Sequence, residues 1–210
     1  MKTVIIGAGG QARIVHEILS YYPNIDLVAF IDNVARSGAE GIKGIPILGD
    51  HSVLPGLLKD GARYAIVAVS MNDIRAAHFE KLIKMGFELI NAVHPTASIA
   101  PSVKLGHGVT IAMGAIISTG VNIADNVIIN TGAIIDHECE VEEHVHIAPG
   151  CSLAGRVTVG KGALIGIGSV VRETVKIGRH AVIGAGSVVL EDVPDNAVAS
   201  GTPARVLNEK

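Results

Sequence analysis

The segment Ile135-Asp-His-Glu-Cys-Glu140 sets a histidine between two acids. Histidine is the side chain that supplies a base near neutral pH. A second group of residues lies near the N-terminus. There Gly7, Gly9 and Ala12 follow the apolar run Thr3-Val-Ile-Ile6 with the G-x-G-x-x-G/A spacing of a dinucleotide fingerprint. Asp32 stands about twenty residues further on, where an acid that bonds ribose hydroxyls is expected. Glycines permit close backbone approach, and the free N–H groups and dipole of a helix N-terminus favour phosphate. Proton transfer near residue 137 and nucleotide binding near residues 7–32 are the two chemistries on offer.

Residue 137 belongs to a repeat. From Ile99 onward Ile, Leu or Val recurs at every sixth residue through Val189, sixteen positions in one phase. At a one-in-three chance per position, that is on the order of 10⁻⁸ by accident. Four residues after each lies a small or β-branched residue, from Val103 through Cys139 and Cys151 to Val193. This is the pattern of a hexapeptide β-helix. Three hexads close one triangular coil, so residues eighteen apart stack, and small residues turn inward at the corners. Cys139 and Cys151 are then buried thiols without metal-type spacing. The column Asp125, Glu143, Lys161, Arg179 reads as an outward charge ladder. His137 falls at an outward corner with Gly155 stacked beside it. The Gly155 N–H is a candidate donor to a developing oxyanion.

The residues before the repeat read as strand, glycine turn and helix, then "LVAFIDN", "YAIVAVS", a helix over 72–85, and "ELINAVH". Fewer than a hundred residues are one mononucleotide-binding half of a Rossmann fold. The expected division is 1–94 for this α/β part and 95–210 for the β-helix.

The bulk composition agrees. Aromatic residues are 3% and hydrophobic residues 49%, with no Trp, which suits a solenoid core of small aliphatics. The formal net charge of −3 gives no basic footprint for nucleic acid. The N-terminal apolar run is too short for a signal peptide or membrane span, so a cytoplasmic protein is expected.

The unbroken hexads followed by "GTPARVL" resemble the left-handed β-helix acyltransferases. With the glycine-rich N-terminal part, the whole chain is similar to sugar acyltransferases that make N-acetylated UDP-4-amino sugars, grouped with sialic acid O-acetyltransferases. The resemblance implies the left-handed turn of the helix, acetyl-CoA as co-substrate, no metal, and a homotrimer with sites between subunits. It makes His137 the catalytic base and Glu138 the residue that hydrogen-bonds its ring, with Asp136 the alternative. By the same match His146 contacts acetyl-CoA near its acyl group, and Ile167 and Ala185 line the CoA groove. Gly9, Gly10, Gln11, Asp32, Asn33, Ser70, Asn72 and Arg75 hold the nucleotide sugar. Two positions depart from the pattern, since relatives often have His at 11 and a second acid at 33. On an extended strand neighbours point apart, so Glu138 reaches His137 only through a bend or from another subunit. His107 and His144 are expected as exposed turn residues. O-acetylation of a sugar such as sialic acid, a non-UDP nucleotide such as GDP, and a non-catalytic nucleotide-sugar-binding scaffold remain open alternatives.

Overall fold

The computed structural model describes residues 1–32 and 41–209. Its contacts divide the chain into Met1–Ala92 and Val93–Lys210.

The first unit is a five-stranded sheet. Strands β1 (Lys2–Ile6), β2 (Asp26–Ile31), β3 (Ile47–Leu48), β4 (Tyr64–Val67) and β5 (Glu88–Leu89) lie in the order β3-β2-β1-β4-β5, all parallel. Both faces are covered, which is why the strands are continuous apolar runs rather than alternating ones. Helix α1 (Gly10–Leu19) packs Ala12, Val15 and Ile18 on the face carrying Ile5, Phe30 and Ile66. Helices α2 (Leu54–Lys59) and α3 (Asn72–Met85) bring Leu54, Phe79 and Leu82 to the face of Val4, Ile6, Ala29 and Val67. The chain steps outward from β1 to β3 and returns beyond β1 with β4. The order therefore reverses between β1 and β4, where such sheets open a crevice at their carboxyl ends.

The second unit is a parallel β-helix. Its strands are two residues long and pair with strands eighteen residues away, as in Ile116↔Ile134 and Ile117↔Ile135, or Asn122↔Glu140 and Ile123↔Val141. The second residue of each pair points inward. Ile117, Ile135, Val141, Ile147 and Leu153 are buried, as are the corner residues Ala115, Val121, Ala133, Cys139, Val145 and Cys151. Where serine takes the inward corner its hydroxyl is satisfied: Ser169 and Ser187 both donate to the Gly184 carbonyl, at 3.0 and 2.6 Å. The GTPARVL segment turns Ala197–Gly201 back as an antiparallel pair with Ala204–Glu209.

Every sixth residue from Gly108 to Gly186 has a positive φ, so each corner is turned by one left-handed residue. Eight of these are glycine, which adopts that conformation freely. The others are Asn126, Glu138, His144, Arg156, Thr174 and His180.

The expected charge ladder is not built as a column of ion pairs. The Asp125 carboxylate accepts the His107 N–H at 2.7 Å, and Glu142 rather than Glu143 accepts the Lys161 N–H at 2.8 Å. Glu142 also lies 3.6 Å from Arg179 Nε. The carboxylates serve turn backbone that the neighbouring coil leaves unpaired.

Candidate active site

In the β-helix unit, His137 follows the strand Ile134–Ile135 at a corner, with its side chain 42% exposed. Its backbone N–H donates to Asp136 Oδ1 at 2.7 Å, so Asp136 fixes the turn rather than the ring. Glu138 occupies the left-handed slot at φ 58°, and that bend brings its Oε2 to 3.2 Å from His137 Nδ1. With Nδ1–H donating to the carboxylate, Nε2 is left as the basic nitrogen. The ring lies over Gly155, where an added Cβ would overlap its Nε2 and Cε1 atoms. A bare peptide therefore sits against the imidazole. The Arg156 N–H donates to the His137 carbonyl at 2.9 Å and ties the two coils together at this point.

His146 begins the strand His146–Ile147 on another face of the coil and is buried. Its Nε2 accepts from Asn130 Nδ2 at 3.3 Å, while Asn130 Oδ1 accepts the Thr131 N–H at 2.8 Å. Ile167 and Ala185 stack one coil apart at the corner that follows this face and are exposed. The Ile167 carbonyl accepts the Gly186 N–H at 2.8 Å, so part of its backbone already serves the stack. Ile167 and Ala185 therefore sit at a different corner of the triangle from His137, and His146 on a different face.

His144 was expected to be an exposed turn residue, yet it is buried, and its Nδ1 accepts from Asn126 Nδ2 at 2.8 Å. Asn126 lies one coil away and its side chain covers the ring, a packing that hexad phase alone does not reveal. His107 is exposed, as expected.

The cysteines are buried free thiols. Cys139 Sγ donates to the Ala154 carbonyl at 3.2 Å, and burial pushes its thiol up to about 11. Cys151 donates to Gly166 at 3.0 Å and is likewise pushed up by burial. Neither supplies a thiolate near neutral pH. Among the described residues no group of three or more His, Cys, Asp or Glu is placed to hold a metal ion.

In the N-terminal unit, Gly7 ends β1 at φ 105°, and a Cβ there would press to 2.8 Å from the Ala68 carbonyl oxygen at the end of β4. Glycine is needed by this close approach of two strand ends. Gly9 and Gly10 open α1 with free space around both and no side chain capping the helix. The Ala8 N–H donates to Asp32 Oδ2 at 2.7 Å, so the acid after β2 also shapes the glycine loop. Gln11 is partly buried, and its Nε2 has no hydrogen-bond partner among the described residues. Ser70 is exposed and Asn72 half-buried at the start of α3. Asn33 lies outside the described residues.

Arg75 belongs to the first turn of α3. It is completely buried, and burial lowers its guanidinium to about 10. Its nitrogens donate to the carbonyls of Val69 and Ser70, each at 3.1 Å, and to Asn72 Oδ1 at 2.9 Å. Arg75 ties the loop after β4 to the start of α3 through these bonds.

Two family models match the chain, the PglD N-terminal domain over residues 2–82 and the bacterial transferase hexapeptide over residues 156–191. Similar solved structures include a histidine variant of perosamine N-acetyltransferase from Caulobacter crescentus in complex with CoA and GDP-perosamine. It is 38% identical, with TM-score 0.93, over 99% of this chain and 97% of that one. The chain belongs to the hexapeptide-repeat sugar acyltransferases. The acetyltransferase domain of PglB from Neisseria gonorrhoeae, in complex with acetyl coenzyme A, is 33% identical with TM-score 0.89 over 98% of both chains. WeeI from Acinetobacter baumannii, 24% identical with TM-score 0.89, shares the fold. No curated protein sequence gives a significant match to this acyltransferase.

Sequence reasoning passed over one constellation in this acyltransferase. His51 and His78, far apart in the chain, bring their rings to 4.6 Å. Neither residue sits in a motif, so only the packing of α3 beside the turn after β3 could reveal the pair.

Proposed function

We propose that the protein transfers an acetyl group from acetyl-CoA to the amino group of a nucleotide-linked 4-amino sugar, in the cytoplasm. The amine nitrogen attacks the thioester carbonyl carbon while His137 Nε2 takes its proton. The resulting oxyanion is met by the Gly155 N–H, and collapse expels CoA thiolate. Glu138 holds the imidazole in the tautomer this requires. The observation that carries the reading is the His137–Glu138 contact seated over Gly155. The deep burial of Cys139 and Cys151 supports direct transfer without an acyl-enzyme.

Gly9, Gly10 and the N-terminus of α1 take the diphosphate, Asp32 the ribose, and Gln11, Ser70 and Asn72 line the sugar side, with Asn33 beside Asp32. Arg75 acts by positioning Ser70 and Asn72. His146, Ile167 and Ala185 receive the acyl end and pantetheine arm of acetyl-CoA. They lie on a different corner or face from His137, so one site is made by two subunits. Outward Ile116, Ile134 and Val170 are each more than 40% exposed on the face between those corners, which supports packing of copies there as a homotrimer. Sequence resemblance pointed to UDP. The 38% identical relative binds GDP-perosamine, and we therefore read the nucleotide as GDP.

The deciding experiment measures release of CoA thiol from acetyl-CoA against GDP- and UDP-linked 4-amino sugars, with sialic acid alongside. Rapid release with a nucleotide amino sugar is the expected result. Release on sialic acid alone would move the reaction to a hydroxyl acceptor, and silence throughout would favour a binding scaffold.

A further inference from the structure

The N-terminal unit holds a second set of polar side chains that these roles leave unused. The turn after β3 and the middle of α3 border an open cavity of about 570 Å³ lined by Asp50, His51, Ser52, Ala77, His78 and Lys81. That is within the size range of small-molecule sites. His51 is only 9% exposed, yet among the described residues neither ring nitrogen has a hydrogen-bond partner. Its ring is tilted 45° to that of His78. Lys81 follows His78 by three residues on the same side of α3 and is exposed. Asp50 accepts the Ser52 N–H at Oδ1, 2.8 Å away, and its carboxylate is exposed at the rim.

Burial lowers both imidazoles, which favours their neutral forms; His78 lowers His51 further, and the nearby Lys81 charge acts in the same direction on both. Each neutral ring offers one donor and one acceptor. Buried polar atoms without partners are costly, and a ligand that pairs with them recovers that cost. The cavity asks for a flat molecule with donors and acceptors along its edge. The Asp32 N–H donates to the Gly49 carbonyl at 3.2 Å, which sets Asp32 beside Asp50 and His51 at the edge of the cavity. If Asp32 holds the ribose, the base attached to that ribose lies within reach of the pair.

We propose that this cavity reads the nucleobase, and that the base is guanine; this rests on the nucleotide-sugar function proposed above. Guanine O6 and N7 accept side by side, suiting the Lys81 ammonium and an imidazole N–H. Its N1–H and 2-amino group donate toward the Asp50 carboxylate. Uracil has no such adjacent pair of acceptors and a smaller face for the two rings.

The test is calorimetric binding of GDP, IDP and UDP to the full chain and to K81M, D50N and H51A. GDP should bind the unaltered protein about tenfold tighter than UDP, a difference of about 1.4 kcal/mol. K81M and H51A should weaken GDP binding about tenfold. D50N should erase the preference for GDP over IDP, which lacks the 2-amino group. Lys81 and Asp50 are exposed, so their variants report on binding even if H51A fails to fold. Equal GDP affinity in the unaltered protein, K81M and D50N would overturn the assignment. If that happened while thiol release with a GDP-linked amino sugar stayed rapid, the catalytic function would stand and the base pocket would fall. GDP binding that depends on Lys81 without any turnover would support the pocket and refute the reaction.

Discussion

Glu138 reaches His137 Nδ1 at 3.2 Å because Glu138 sits in the left-handed slot of its coil, at φ 58°. Adjacent residues in an extended strand point apart, and the corner removes that obstacle. A non-glycine residue held left-handed costs about 1–2 kcal/mol. Gly120, one coil away in the same column, avoids that cost, with its site against the Glu138 side chain.

His137→Ala should lower kcat about 100-fold or more while leaving the fold intact, because the side chain is exposed and a general base contributes about that much. Glu138→Gln should cause a smaller loss and alter the pH–rate profile. Glu138→Gly should leave stability within about 1 kcal/mol, since relief of the left-handed strain offsets the greater freedom of glycine in the unfolded chain. Steady-state kinetics with thermal melts check all three; full activity in His137→Ala would remove this residue as the base.

Gly155→Ala places a methyl group where the His137 ring lies. The ring must swing away, so kcat should fall nearly as far as in His137→Ala. The double variant should be no worse than either single one, because both changes disable the same group. Additive losses would mean that Gly155 acts independently of the ring.

The cysteines predict a pH dependence with a definite sign. Burial raises the Cys139 thiol from about 9 to about 11, so the folded state disfavours the thiolate relative to the unfolded chain. The stability this confers is complete below about pH 9 and decays as pH rises toward about 11. At pH 8 a thiol reagent should label neither Cys139 nor Cys151 in the folded protein and both in urea. Cys139→Ala should remain active, and its inactivation would revive an acyl-enzyme.

Arg75 and Asp32 should separate stability from binding. Arg75→Met strands three acceptors of the loop after β4 and the start of α3 and should cost about 2–3 kcal/mol, read as a lower urea midpoint. Asp32→Asn keeps the size of the side chain and should weaken nucleotide-sugar binding by about tenfold, with acetyl-CoA affinity unchanged. Equal weakening of both ligands would contradict the assignment of separate binding regions.

The β-helix was legible because every hexad repeats the same physical demand, a branched residue inward and a small one at the corner. One sequence then states the rule sixteen times. The glycine loop was legible for a similar reason, since Gly7 answers a contact with Ala68 that no other residue tolerates. The burial of His144 was not, because it depends on Asn126 one coil away. The burial of Arg75 was not legible either, because it depends on the path of the loop after β4, whose Val69 and Ser70 carbonyls it bonds together with Asn72 Oδ1. The bend at Glu138 was open to reading. Its slot is glycine at eight of fourteen corners, a third hexad position that hydrophobic phase alone passes over.

The pairing of strands eighteen residues apart makes the angular position of a side chain a matter of counting. Deleting six residues between His137 and His146 would turn everything beyond the cut by one face. The corner that carries Ile167 and Ala185 would then take a different bearing from the corner of His137, though each hexad would still pack. Loss of eighteen residues would shorten the molecule and restore every bearing. Such a scaffold admits change in length only by whole turns, and so protects the alignment of its corners while leaving its height free to vary.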